Sequence, residues 1–264
     1  MLFTNPFAVL SVSVPSIAMQ LFVITMILLV AIGTMMDIVH KKNVKYFFEN
    51  AKKAKKQAKR TLETGEKASI LIKTIGSDIL TTAELGVGKR RVAHLLGMYG
   101  TIIFWISSAI MIFGYTSSNS NTPSYLPFLW HFGSLMTCIG GYWFWFFLRV
   151  DVTAEAHPWY RLIQADLFVL SLVITSTLAL IWSFLQFFHI EEWDTLFLAL
   201  FGLSNLVLFG GVYWSKFAHM FYKPGAAIQK NLAEADGSRD NLPPLADAPK
   251  QFGLGIKREE PKHY

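Results

Sequence analysis

Five stretches of this sequence are apolar for long enough to cross a lipid bilayer, which makes hydrocarbon rather than water the expected solvent. They run from Ser13 to Ile38, Val92 to Tyr115, Tyr125 to Leu148, Leu162 to Phe188 and Thr195 to Tyr213, each near the roughly 20 residues a spanning helix needs. Backbone polar groups cannot stay unpaired in hydrocarbon, so such stretches read as helices. Composition agrees: 53% of the residues are hydrophobic, 16% are charged, and the mean hydropathy is +0.38. The first stretch lacks a basic leader and is too long for the apolar part of a cleaved signal, so it reads as a retained anchor. The expected fold is all-α, a polytopic membrane bundle with five transmembrane helices.

Charge orients the bundle. Lys41 to Arg91 carries fourteen Lys/Arg against five Asp/Glu, "TSSNSNTPSY" carries no charge, and "HIEEWDT" carries only acids. The connection "RVDVTAEAHPWYR" is flanked by Arg149 and Arg161. Basic loops stay on the cytoplasmic side, so the N-terminus is expected outside and the basic segment and tail inside. The net charge of +6 is then a topology signal and not a nucleic-acid surface. Four regions follow: an N-terminal anchor (1–40), a basic cytoplasmic helical segment (41–91), a four-helix membrane bundle (92–223) and a cytoplasmic tail (224–264), disordered or bound to a partner. The basic segment is rich in helix formers. It reads as a solvated helix that also touches anionic lipid headgroups, or as a docking surface for a cytoplasmic partner.

Chemistry-bearing residues are sparse. The single cysteine, Cys138, excludes a disulfide framework, a CxxC zinc site and an iron–sulfur cluster held by this chain alone. There is no nucleotide loop and no nucleophile constellation. Of seven histidines, His40 and His263 read as solvated. His94, in "GKRRVAHLLGMYG", opens the second span, and His219, in "SKFAHMFYKP", ends the fifth. The topology puts both at one depth on different helices. A b-type haem needs two facing axial imidazoles, with basic partners for its propionates at the membrane edge. Arg90, Arg91, Lys216 and Lys223 could supply that fringe, and Gly97 and Gly100 could let a macrocycle approach the backbone. Two unrelated helix-end histidines remain the other reading.

The strings "RRVAHLLGMYG", "YRLIQADLFVLSL" and "SKFAHMFYKPGAA" resemble the membrane cytochrome b subunits related to the gamma subunit of respiratory nitrate reductase. The sequence is most similar to membrane subunits of sulfur-metabolism complexes: the membrane domain of the quinone-interacting membrane-bound oxidoreductase and the anchor associated with adenylylsulfate reductase. The likeness covers roughly residues 89 to 227. It implies one cytoplasmic-side haem b held by His94 and His219. The family's outer haem is implied to be missing, because its ligand positions fall near Phe104 and Phe201. The remaining candidates for a second haem, His131 and His189 at the outer face, read better as an interfacial residue beside Trp130 and a loop residue.

The implied function is a cytoplasmic-membrane electron-transfer subunit. It would pass electrons between quinone and a cytoplasmic iron–sulfur/flavin oxidoreductase of sulfur metabolism, with the demanding chemistry on that partner. Candidate quinone contacts are His157, Arg161, Asp166 and Tyr222. Asp166 is read as an acid inside the fourth span that pairs with Arg161 or moves a proton. Pro158 is read as the start of that span, and the aromatic run "GYWFWFFLR" as facing lipid or haem. The alternative function is a haem-free anchor that recruits a cytoplasmic enzyme. A transporter would need polar paths or broken helices, and the spans show neither.

Overall fold

A computed structural model of the chain describes residues 1–41, 43–85, 88–117, 121–150, 158–217 and 219–238, without the side chains of Asn43, Glu84, Glu191 and His219. Among these residues the protein is helical and contains no strand. The chain divides into two compact units. The first comprises Met1–Asp37 and Val92–Ala218; the second comprises Ile38–Arg91 and the chain from His219 onward.

The first unit begins with a short helix, α1 (Pro6–Leu10), whose start Asn5 caps by accepting from the Phe7 and Ala8 amides. The Asn5 amide group donates to the Tyr115 carbonyl at 2.9 Å, and Gln186 donates to the Pro6 carbonyl at 3.1 Å. These bonds tie the N-terminal segment to the ends of two long helices. The long helices are α2 (Ser16–Lys41, which continues into the second unit), α5 (Lys89–Gly114), α6 (Tyr125–Trp143, prolonged by a wide π-turn over Phe144–Leu148), α7 (Leu167–Phe187, entered through a 3₁₀ turn at Gln164–Asp166) and α8 (Glu191–Gly210).

Among the described residues, four helical segments are long and apolar enough to cross a membrane: Ser16–Lys41, Lys89–Gly114, Gln164–Phe187 and Glu192–Gly210. The third expected span, Tyr125 to Leu148, forms a helix but does not join them. Its Trp, Tyr, His, Pro and Gly residues dilute the hydropathy of "YLPFLWHFGSLMTCIGGYW". Ile24, Ile27, Leu28 and Ile32 of α2 are exposed, the surface a lipid-facing helix presents. α7 is the central element: 44% of its apolar window is buried, against 17% for α2.

Two kinds of contact join these helices. Along the α5–α6 seam, backbones meet. A Cβ on Gly100 would lie 2.6 Å from the Thr137 amide nitrogen, and one on Gly140 would lie 2.6 Å from both the Ala93 oxygen and the Gly97 nitrogen. Only glycine allows that approach. Buried polar groups supply the rest: Ser134 donates to the Ser176 carbonyl at 2.9 Å, Thr175 to Ser204 at 3.0 Å and Trp130 Nε1 to Ser108 at 2.8 Å. Interhelical bonds of this kind are favoured because hydrocarbon offers the groups no alternative partner.

The second unit is built from α3 (Asn43–Lys56), α4 (Thr64–Thr74, running on as a π-turn through Ile75–Leu80) and α9 (His219–Ala235). Of the tail (224–264), expected to be disordered or bound to a partner, the part up to Ala235 continues α9, with Pro224 inside that helix; residues 239–264 lie outside the described residues. Asn231 of α9 donates to Thr74 and to Asp78, each at 2.8 Å. Arg60 forms a forked pair with Glu66 and donates through Nε to the Ala235 carbonyl at 2.7 Å. The Asn231 hydrogen bond holds the Asp78 carboxyl below its ordinary pKa, and Ser77, Lys230 and Lys73 add to it against the opposing effect of burial.

Candidate functional site

The clearest polar construction in the first unit lies where α6 ends and α7 begins. The π-turn closes with the Arg149 amide donating to the Phe144 carbonyl at 2.8 Å. It turns the Arg149 side chain fully inward, to 0% exposure. The guanidinium pairs with Asp166 through Nη2 and Nε, and donates to the Pro158 carbonyl at 2.8 Å and the Arg161 carbonyl at 2.6 Å. It lies 4.3 Å from the Trp145 ring centre, a cation–π distance. Asp166 also accepts the Ile163 amide at 2.9 Å. One buried arginine therefore staples the end of the connection between the two helices.

This overturns three expectations. Asp166 pairs with Arg149; Arg161 is exposed and contributes its carbonyl. Asp166 stands at the entry to the helix and not within it, because its carboxylate accepts the Ile163 amide at the turn. Pro158 does not start the helix: a 3₁₀ turn over Gln164–Asp166 leads into α7 at Leu167. In the aromatic run, Trp145 is buried beneath the arginine, while Phe146 and Phe147 face outward. His157 lies outside the described residues.

The expected haem ligands fall beside points where the chain passes between the units. The first unit resumes at Val92, with His94 following in α5, and the second resumes at His219. α8 ends at Gly210, and turns through Gly211, Val212 and Ser215 intervene before α9. His219 therefore opens a new helix instead of closing the fifth span. Its side chain lies outside the described residues. The His94 side chain is exposed. Trp105, eleven residues further on, lies on nearly the same helical face. It stacks on Phe217, with ring centres 6.1 Å apart and planes at 11°, and packs on Phe209 at 5.1 Å. Phe168 of α7 meets Phe217 edge-on at 5.2 Å.

Gly100 does not leave room for a macrocycle, because α6 fills that side of α5 at backbone contact; beside Gly97 the space is open. Of the basic residues, Arg91 donates to the Thr81 carbonyl at 2.7 Å, Arg90 is half-buried and Lys216 is exposed. Tyr222 lies in α9, in the second unit. Among the described residues no group of three or more His, Cys, Asp and Glu could hold a metal ion; haem ligation by two histidines does not need such a group.

At the opposite end of the bundle, His131 is buried and not interfacial. Nδ1 bonds to the Pro127 carbonyl and Nε2 to the Ser183 hydroxyl, both at 2.7 Å. A carbonyl only accepts, so Nδ1 carries the proton and, in the neutral ring, Nε2 accepts from Ser183. Both nitrogens are thereby engaged. His189 is an exposed turn residue with φ of 55°. Ser183, Gln186 and His189 line a cleft of about 220 Å³ beside the N-terminal segment. Phe104 and Phe201 flank packed indoles: Phe104 meets Trp130 at 5.3 Å, Trp130 meets Trp182 at 6.5 Å, and Trp182 stacks on Phe201 at 5.8 Å.

No protein family, curated protein or solved structure matches this sequence.

Proposed function

We propose that the chain is the membrane electron-transfer subunit of a quinone-linked oxidoreductase. In this reading five helices span the cytoplasmic membrane with the N-terminus outside. One haem b sits at the cytoplasmic side between His94 and His219, with Arg90, Arg91 and Lys216 beside its propionates. Haem bound there supplies a one-electron carrier between the quinone pool and a cytoplasmic iron–sulfur/flavin enzyme, by resemblance one of the adenylylsulfate reductase type. The supporting observation is the stack of Trp105 on Phe217. It seats Phe217, two residues before His219 in the sequence, on α5 about three turns beyond His94 and nearly in line with it. Arg149 and Asp166 act as positioning groups, because their contacts hold the Pro158 and Arg161 carbonyls and thus the loop that carries Arg161. Quinone contact then falls to His157, Arg161 and Tyr222.

The close seating of α6 on Gly100 favours a second reading, a haem-free anchor that recruits a cytoplasmic enzyme through the basic unit. Dithionite-reduced optical spectra of the purified protein separate the two. Electron transfer requires a b-type band that disappears in His94→Ala and in His219→Ala while both variants elute as folded protein. No band in the wild type leaves the anchor reading, and a full band in both variants overturns the ligand assignment.

A further inference from the structure

Helix α2 is 26 residues long. At about 1.5 Å per residue it reaches about 39 Å, more than the roughly 30 Å of a hydrocarbon core. It ends at Lys41, and α3 begins at Asn43. A helix that spans a membrane therefore delivers α3 to the level of the lipid headgroups.

The surface of α3 suits that level. Val44, Phe47, Ala51 and Ala54 recur at helical spacing and are half-buried, and the Phe47 ring approaches Gly225 of α9. That apolar stripe is already used inside the unit. Phe48 lies to one side of it and is 61% exposed; Tyr46 lies to the other and is 56% exposed. Phe48, Lys52 and Lys55 follow at i, i+4 and i+7, so they share one strip of the helix. Lys53 and Lys56 extend the exposed basic surface. Large exposed aromatics between lysines are poorly placed in water. At a bilayer surface the ring enters the headgroup boundary while the lysine stems carry their charges to phosphate.

We propose that the Phe48–Lys52–Lys55 strip is an interfacial anchor that binds anionic phospholipid headgroups. Two arguments select lipid as the occupant: the charge is complementary, and the helix follows directly on one of membrane-spanning length. The inference rests on the membrane reading alone and is independent of haem.

The test uses the full chain in nanodiscs of phosphatidylcholine alone or of phosphatidylcholine with phosphatidylglycerol. Cys138→Ser removes the native thiol, and Phe48→Cys carries an environment-sensitive fluorophore. The expected result is blue-shifted emission, quenched by lipids brominated near the headgroup, in the anionic discs. Lys52→Glu with Lys55→Glu abolishes both effects. Polar, unquenched emission in both disc compositions overturns the proposal and leaves the strip open to a soluble partner. That comparison needs no charge-reversed variant, so a folding failure there does not obscure it.

Discussion

Each of the two units contains an arginine paired with a carboxylate, and the two pairs are held in opposite ways. Arg149 and Asp166 expose 0% and 8% of their side chains; Arg60 and Glu66 expose 54% and 35%. The buried guanidinium is surrounded by two carbonyls, a carboxylate and an indole. Desolvating two charges is costly, and only such complete coordination offsets it. The exposed pair has water and salt as competitors, so it contributes little. The same chemical pair is thus a structural requirement in one unit and a surface detail in the other.

The comparison can be tested by breaking each pair and following each unit separately. Cys138 is buried in the first unit, and no other cysteine occurs. Its reaction with a thiol reagent on heating in detergent therefore reports that unit alone. Asp166→Ala should have the largest effect, about 3–5 kcal/mol, because it leaves the buried guanidinium without its counter-charge. Cys138 should then become reactive at a clearly lower temperature. Unchanged thiol kinetics would show that the pair is not needed. Gly100→Ala should come next, at about 1–3 kcal/mol, because its Cβ meets backbone that cannot yield. The same thiol assay reads it.

Two smaller effects belong to the second unit and should leave Cys138 protected. Asn231→Ala removes bonds to Thr74 and Asp78 and should cost about 0.5–1.5 kcal/mol, visible as faster trypsin cleavage at the lysines of α3. Because the folded-state pKa of Asp78 is lowered, its contribution is complete above the usual carboxylate range near 4 and is lost as pH falls through the folded value. Proteolytic resistance of this unit should decline in acid, and Asp78→Asn should flatten that profile. Arg60→Ala should have the least effect, within about 1 kcal/mol.

How far the sequence could be read depended on the range of each interaction. Apolar runs mark helices because burial in lipid acts residue by residue, so the long elements stood out. The third span was harder to grade, since its Gly, Trp and His serve close packing between helices more than contact with lipid. Arg149 was seen only as a loop flank. Its role could have been suspected, because it closes one apolar run and Asp166, the acid nearest the start of the next, lies across a short connection. The π-turn that aims it inward has no local signature. Gly97 and Gly100 look alike in the sequence, which shows a missing side chain but not that α6 fills the gap at Gly100 and leaves it open at Gly97. The Ser183 partner of His131 is fifty-two positions away, and no periodicity encodes a pairing between helices. The seat of His219 was misjudged because hydropathy fades gradually after Gly210, whereas the helix stops there.

The π-turn has one further consequence. Such a turn holds one residue more than an α-helical turn, so Phe144–Leu148 behaves as an insertion. Wound as a regular α-helix, the same residues would turn Arg149 by about 100°, away from Asp166. The hydropathy profile would hardly change, yet the guanidinium would lose its carboxylate and both carbonyls. At this corner of the bundle, the winding of the chain matters more than its hydropathy: the extra residue of the π-turn is what aims Arg149 at Asp166.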